Sequence, residues 1–190
     1  MVDAAGVERF DLLGISQGVA VSIAYAVRHP ERVSHLVLHG GYAQGWRNLD
    51  RPDLEARQEA LMTLMKDGRG QKTSAFRQLF TSLFLPSANA EQAAMFNELE
   101  RVSASAKNAA RIYNVFGDID VAKLLPQVSI PTLVMHSIGD TLINIGESRR
   151  IAALIPNARF VELDTQNHLI LEDDPVWPRF LTEITDFLKS

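Results

Sequence analysis

The five residues Gly14-Ile15-Ser16-Gln17-Gly18 form the pattern Gly-x-Ser-x-Gly. In this pattern a serine lies on a very sharp turn between a strand and a helix, and its hydroxyl is held clear of the backbone. A side chain at Gly14 or Gly18 is expected to crowd the turn, and the two glycines make a strained conformation of Ser16 tolerable. The pattern constrains the fold because it requires a strand before it and a helix after it.

Apolar residues on both sides of the pattern supply these two elements. Val7 to Leu13 is predicted to be the first strand, and apolar residues recur at helical spacing from Ser16 to about Arg28. Val33 to His39 is a nearly continuous apolar run, typical of a parallel strand covered on both faces, and Gly40-Gly41 ends it. A strand, helix and strand of these lengths predict parallel pairing with a right-handed crossover.

The chain from Tyr42 to about Gln127 contains only helical patterns. Helices are predicted at 50–68, 73–84, 89–102 and 109–116. Asn89, with Gln92 three residues later, resembles a capping box for the third of them. A shorter helix follows, capped by Asp118 or Asp120 and ended by Pro126.

Strands and helices alternate again after this segment. The predicted elements are a strand at 132–136, a helix at 145–155, a strand at 158–163 and a helix from about 176 to 188. Asp140 follows the first of these strands and His168 follows the second. Because ligand and catalytic groups gather at the carboxyl ends of strands in an open parallel sheet, Ser16, Asp140 and His168 are expected at one edge.

Serine, aspartate and histidine are the residue types that nucleophilic acyl transfer requires. A serine hydroxyl is too weak to attack unaided, an imidazole must take its proton, and a carboxylate must fix the tautomer of that imidazole. Taken alone, Asp140 could be a turn residue and His168 a structural histidine. Their chain order after Ser16, and their place at successive strand ends, favour a catalytic triad.

The residues around these positions resemble the α/β-hydrolase family over essentially the whole chain. Residues 10–18 are similar to the strand and nucleophile turn of that family, and residues 29–33 to the junction with its next strand. Residues 130–136 with Gly139-Asp140 are similar to its acid strand, and residues 166–168 to its histidine loop. Val19 departs from the family because small residues usually follow the turn and let the helix approach the sheet.

The resemblance implies a function for each of these positions. Ser16 is expected to be the nucleophile, His168 the base and Asp140 its orienting acid, and the backbone N–H of Gln17 is expected to belong to the oxyanion hole. Residues 1–41 and 128–190 are expected to form an α/β core with about four parallel strands. Residues 42–127 are expected to form an inserted helical cap subdomain over the pocket.

The narrower resemblance is to hydrolase-like domains attached to some bacterial cyclase and transcriptional regulator proteins. It is carried by the nucleophile turn, the His-x-x-Gly-Asp-like run that ends at Asp140, and Asn167-His168 with Trp177 downstream. Only 13 residues precede Gly14, whereas the family has several strands before its nucleophile. We therefore expect an N-terminally truncated form of the fold, with a homodimer or a missing N-terminal segment covering the apolar edge of the first strand.

Composition excludes several other classes of function. A net charge of −4 and a pI near 5.7 provide no field that would collect nucleic acid. The chain has no cysteine, and its remaining histidines lack the paired spacing of a metal site, so neither a thiolate nor a metal centre is expected. The glycine pattern lacks the third glycine of a dinucleotide site, so no cofactor is expected. No membrane contact is expected, and cytoplasmic localisation is the default.

Two functions therefore stay open at the level of sequence. One is a serine hydrolase that acts on a small ester or related acyl compound through an acyl-enzyme. The other is a non-catalytic ligand-sensing or regulatory domain that retains the triad, including the case of a fragment of a longer regulator. Either would bind a small molecule, and the same triad serves carbon–carbon bond hydrolysis and peroxidation within the family.

Overall fold

A computed structural model describes residues 2–68 and 75–189 of the chain. The strands within these residues are β1 (Phe10–Ile15), β2 (Val33–His39), β3 (Thr132–Ser137) and β4 (Arg159–Leu163). The α-helices are α1 (Gly18–Arg28), α2 (Pro52–Gly68), α3 (Ala75–Phe84), α4 (Ala90–Ser103), α5 (Ala106–Phe116), α6 (Ile145–Leu154) and α7 (Trp177–Phe187). The predicted start of α3 at Thr73 lies outside the described residues.

The four strands form one parallel sheet in the order β1-β2-β3-β4. At the carboxyl edge, Ile15 pairs with His39, and His39 pairs with Met135. Within the described residues β1 pairs with β2 alone, and its Leu13 is 47% exposed. The predicted α/β class with four parallel strands is confirmed.

Alternate residues of the inner strands supply the two faces of the core. Leu36 and Leu38 of β2 pack in the cluster that contains α1 and α6, whereas Val37 packs in the cluster that contains α7. Such two-sided burial explains why β2 is a nearly unbroken apolar run. The parallel sheet therefore positions the loops at its carboxyl edge on a rigid support.

The first strand ends later, and the first helix begins later, than the sequence predicts, and both differences lie at the turn around Ser16, the serine turn. β1 ends at Ile15 rather than Leu13, because its ladder with β2 continues to the Ile15–His39 pair. α1 begins at Gly18 rather than Ser16, because the positive φ of Ser16, 56°, is incompatible with a right-handed helix. The turn itself is therefore only two residues long, Ser16 and Gln17.

Contacts divide the chain into two compact units. The first consists of Met1–Ala43, Asp120–Thr165 and Ile170–Ser190, and it contains the sheet with α1, α6 and α7. The second consists of Gln44–Ile119 and Gln166–Leu169, and it contains α2 to α5.

Local caps fix the helix starts in the second unit. The Asn89 side chain accepts the backbone N–H groups of Glu91 and Gln92, and Gln92 Oε1 accepts that of Asn89 at 2.7 Å. This reciprocal pair confirms the predicted capping box. α5 begins at Ala106 rather than 109, because the hydroxyl of Ser105 accepts the N–H of Asn108.

The short helix after Asp120 differs from the prediction. It is a 3-10 helix, Ala122–Gln127, and Pro126 lies inside it rather than after it. Asp120 Oδ1 accepts the N–H of Ala122 at 3.1 Å, as a turn-forming aspartate does. Short 3-10 segments need few hydrogen bonds, so the missing N–H of proline ends the helix less sharply than in an α-helix.

Every helix in the described part of the chain is too short or too polar to cross a lipid bilayer.

Candidate active site

Ser16 lies at the carboxyl end of β1 in the strained conformation that the sequence predicts. Its φ is 56°, a left-handed value that non-glycine residues rarely adopt. Its N–H donates to the carbonyl of His39 at 2.9 Å, and its carbonyl accepts the N–H of Val19 at 3.1 Å. Backbone bonds to β2 and to α1 therefore hold the serine in a conformation that would otherwise relax.

Two glycines make this turn sterically possible, and one of them is not in the predicted pair. A Cβ at Gly14 would lie 2.6 Å from Ser22 Oγ, so the prediction that Gly14 is crowded is confirmed. The same prediction is wrong for Gly18, because a Cβ there would meet no atom within 4 Å. Gly41 is the second crowded position, where a Cβ would overlap the Val19 side chain and lie 2.6 Å from Ser16 O.

From the sequence, Gly41 is predicted only to end a strand. The available signal is Val19, a larger residue than the family usually has after the turn. Val19 is buried against the sheet, and the absent side chain of Gly41 provides the space for it. A bulky residue on the helix is therefore matched by a glycine on the loop after β2.

Gln17 is the N-terminal cap residue of α1, with φ −59° and ψ −23°. Backbone N–H groups at a helix N-terminus lack carbonyl partners within the helix, and the helix dipole favours negative charge there. Such a position suits an oxyanion that develops next to Ser16. The role of Gln17 in an oxyanion hole stays a prediction.

Asp140 follows β3 and organises the loop around its own carboxylate. Its side chain is only 1% exposed. Its Oδ1 accepts the N–H of Leu142 at 2.8 Å and that of Ile143 at 3.1 Å. These two bonds satisfy one carboxylate oxygen and fix the turn of the loop.

His136 lies four residues before Asp140. Like Gly41, it is a residue near the site that the sequence alone does not single out. Its side chain is fully buried, and Nε2 lies 3.0 Å from Ile143 O and 3.5 Å from Asp140 Oδ2. Its Nδ1 lies 2.7 Å from Ser148 Oγ, at the start of α6. The His-x-x-Gly-Asp run of residues 136–140 is a sequence signal for this pair, but spacing alone does not show which atoms meet.

His168 belongs to the second unit, whereas Ser16 and Asp140 belong to the first. Its N–H donates to Phe84 O at 2.9 Å, and its ring meets the Phe84 ring edge to face with centroids 5.5 Å apart. The neighbouring Asn167 accepts the N–H of Ser87 at 3.0 Å through Oδ1. The loop that carries His168 is therefore anchored to the end of α3.

The sheet places the predicted serine and acid at the same edge. β1 leads directly to Ser16, and β3 leads to Asp140. Residues 138–144, between β3 and α6, form the acid loop. This loop is bonded to the chain that leaves β4, because Ile138 N donates to Leu163 O at 2.9 Å and Gly139 N donates to Thr165 O at 3.0 Å. A serine on a sharp turn, a helix N-terminus and a buried carboxylate are parts that acyl transfer requires at this edge. The nucleophile role of Ser16 and the assembly of all three triad residues stay predictions.

Comparisons with known proteins agree with this architecture. The family model of the alpha/beta hydrolase fold matches residues 1–175. Pyrrolizixenacetamide deacetylase of Xenorhabdus hominickii is 27% identical over 99% of this chain and 68% of its own length. 2-Hydroxymuconate semialdehyde hydrolase of Pseudomonas putida is 30% identical over 84% of this chain, but the chain spans only 56% of that relative.

Solved structures have the same fold at lower identity. The esterase EaEST from Exiguobacterium antarcticum superposes with a TM-score of 0.84 at 20% identity, covering 100% of this chain and 70% of the esterase. The two relatives and this esterase are hydrolases. The serine turn, the parallel sheet and the matched family model together show that the chain belongs to the α/β-hydrolase fold family.

Proposed function

We propose that this chain is a serine hydrolase that cleaves a small ester or related acyl compound through an acyl-enzyme. Ser16 is the nucleophile, His168 the general base and Asp140 the residue that orients the imidazole. The observation that carries the proposal is the backbone of Ser16, which is held at φ 56° between the end of β1 and the first turn of α1. Proteins retain such strain chiefly where it serves function.

The reaction proceeds in two steps. In the first, Ser16 Oγ attacks the carbonyl carbon while its proton passes to His168, which then gives that proton to the leaving group as the bond to it breaks. In the second, water attacks the acyl carbon while its proton passes to His168, which then gives that proton to Ser16 Oγ as the acyl–oxygen bond breaks and the carboxylic acid leaves. The N–H of Gln17 at the start of α1 donates to the oxyanion in both steps.

The names of the relatives support hydrolysis of an acyl compound without selecting one bond type. One is a pyrrolizixenacetamide deacetylase and the other is a 2-hydroxymuconate semialdehyde hydrolase. Since the chain spans 56% and 68% of their lengths, the substrates of those whole proteins are not transferred to it. A small activated ester is therefore the appropriate first substrate.

A fluorophosphonate probe tests the proposal, because it labels only an activated serine. We expect the chain to be labelled and Ser16→Ala to lose the label. Asp140→Asn should slow labelling by several orders of magnitude, on the order of 10⁴ where the wrong imidazole tautomer results. Ser82→Ala is the matched control, since Ser82 is exposed and bonds only within its helix.

Two outcomes would contradict the proposal. Equal labelling of Ser16→Ala would exclude Ser16 as the nucleophile. An unlabelled but folded parent chain would exclude turnover and favour a ligand-sensing domain that retains the residues.

A further inference from the structure

We propose that His136 is a positioning residue for the Asp140 carboxylate, with Ser148 fixing the tautomer in which His136 does so. The inference rests on the proposed function, because it assigns Asp140 the orienting role in that chemistry. It adds two residues, on β3 and α6, to the three that the triad contains.

Burial of the Asp140 carboxylate has a free-energy cost. A carboxylate that is 1% exposed must be compensated by hydrogen bonds or opposite charge. Leu142 and Ile143 donate to Oδ1 alone. His136 Nε2, on β3, lies 3.5 Å from Oδ2, a distance that permits electrostatic attraction rather than a well-formed hydrogen bond.

The neighbours of the His136 ring determine which ring nitrogen carries the proton. Nε2 lies 3.0 Å from Ile143 O, and a carbonyl can only accept, so Nε2 carries the proton. In the neutral ring Nδ1 is then the acceptor, and the hydroxyl of Ser148 donates to it at 2.7 Å. The opposite tautomer would place a lone pair against the Ile143 carbonyl.

The His136 ring also contributes to the shape of the acid loop. His136 accepts from α6 and donates to Ile143 O, while the N–H of the same Ile143 donates to Asp140. The carbonyl of Ile143 is therefore held by His136, and its N–H is held by Asp140. Loss of the Nε2 donor would release the loop and allow the carboxylate to rotate.

Two substitutions separate the two ring nitrogens. The amide nitrogen of glutamine lies near the position of Nε2, whereas that of asparagine lies near Nδ1. We expect His136→Gln to retain kcat for a small activated ester within about twofold, and His136→Asn to lower kcat about 10–100-fold with little change in KM, as misplacement of a catalytic group does. A folded His136→Asn chain with the parent kcat would overturn the proposal.

His35→Gln is the matched control. His35 Nδ1 lies 2.8 Å from Asp11 Oδ1, so it is also a histidine beside an aspartate, but it lies on β2 away from the acid loop. We expect its kcat to equal that of the parent. An equal fall in kcat for His35→Gln and His136→Asn would overturn the proposal by showing a general loss of sheet structure.

Nitrogen NMR of the full 190-residue chain with labelled histidine tests the inference without activity. We expect a protonated Nε2 on His136, a resonance that moves in Asp140→Asn, and a change at Nδ1 in Ser148→Ala. A neutral ring protonated only at Nδ1 would overturn the inference. If the parent chain hydrolyses no ester, the proposed function fails, and this spectrum alone decides the placement of His136.

Discussion

The Val19 side chain fills the space that a side chain at Gly41 would need, because a Cβ at Gly41 would overlap it. The two residues come from the loop after β2 and from the first turn of α1. The same Cβ would lie 2.6 Å from Ser16 O, so the glycine also gives room to the strained serine. The position of the candidate nucleophile therefore depends on a residue 25 positions away in the chain.

This contact predicts that Gly41→Ala destabilises the chain. Overpacking of a filled site costs about 1–3 kcal/mol. Adding Val19→Ala should recover part of the loss, because it removes the overlap with Val19 but leaves the Ser16 carbonyl in place. Urea unfolding measures both. Gly18→Ala is the control, since a Cβ there meets no atom, and equal stabilities of Gly41→Ala and Gly18→Ala would contradict the prediction.

The positive φ of Ser16 predicts a conflict between stability and chemistry. Ser16→Gly should be at least as stable as the parent. It removes a left-handed backbone strain of about 1–2 kcal/mol, whereas the larger conformational entropy that glycine gives the unfolded chain costs less than that. Ser16→Val should be less stable by more than about 1 kcal/mol, because β-branched residues tolerate this φ worst. Denaturant midpoints of the two variants check this order. A reversed order would show that the backbone of Ser16 is not strained.

The capping box predicts a local effect at the start of α4. Asn89→Ala should destabilise the helix by about 1 kcal/mol, whereas Asn89→Ser should retain most of the cap. Hydrogen exchange at the first amides of α4 is the appropriate readout, because the loss begins there. Asn108→Ala, at an exposed position that caps no helix, should leave these amides unchanged. Uniform exchange rates in all three variants would argue against the cap.

The buried hydroxyl of Tyr113 leads us to expect a loss of stability at high pH. Burial raises the pKa of its hydroxyl from 10.0 to about 12, although the charge of Arg57 opposes this shift. The unfolded chain therefore loses this proton near pH 10 while the folded chain keeps it, so the free energy of unfolding falls as the pH rises from 10 to 12. Below pH 10 the group contributes nothing to the pH dependence.

Tyr113→Phe tests this assignment. The variant loses the hydrogen bond to Gln58 at every pH, but its stability should fall less steeply above pH 10. The tyrosinate absorbance of the parent minus that of the variant should titrate near pH 12. A midpoint near 10 in the folded chain would show that the hydroxyl is accessible to water.

Several features of this protein follow from the sequence because they depend on residues close together in the chain. The Gly-x-Ser-x-Gly turn, the apolar run of β2 and the Asn89–Gln92 box each involve local backbone geometry or periodic burial, and the structure has all three. The missed start of α5 at Ser105 is also local, since serine is an ordinary cap residue.

The order Ser16, Asp140, His168 identified the candidate site from the sequence for a related reason. Parallel strands bring their carboxyl ends to one edge, so a residue after each strand is placed in advance by the topology. That rule locates a loop to within a few residues. It does not state which atoms in the loop meet, and it places no second group beside Asp140.

Only the tertiary structure decided the contacts between residues that the chain separates. The extension of β1 to Ile15 depends on pairing with His39, and the glycine required beside the turn is Gly41 rather than Gly18. The short distance between His136 Nε2 and Asp140 Oδ2 depends on the orientation of the His136 ring, whose Nδ1 contacts the hydroxyl of Ser148 on α6. Such relationships are set by the packing of whole elements, because a side chain fits only the space that its distant neighbours leave.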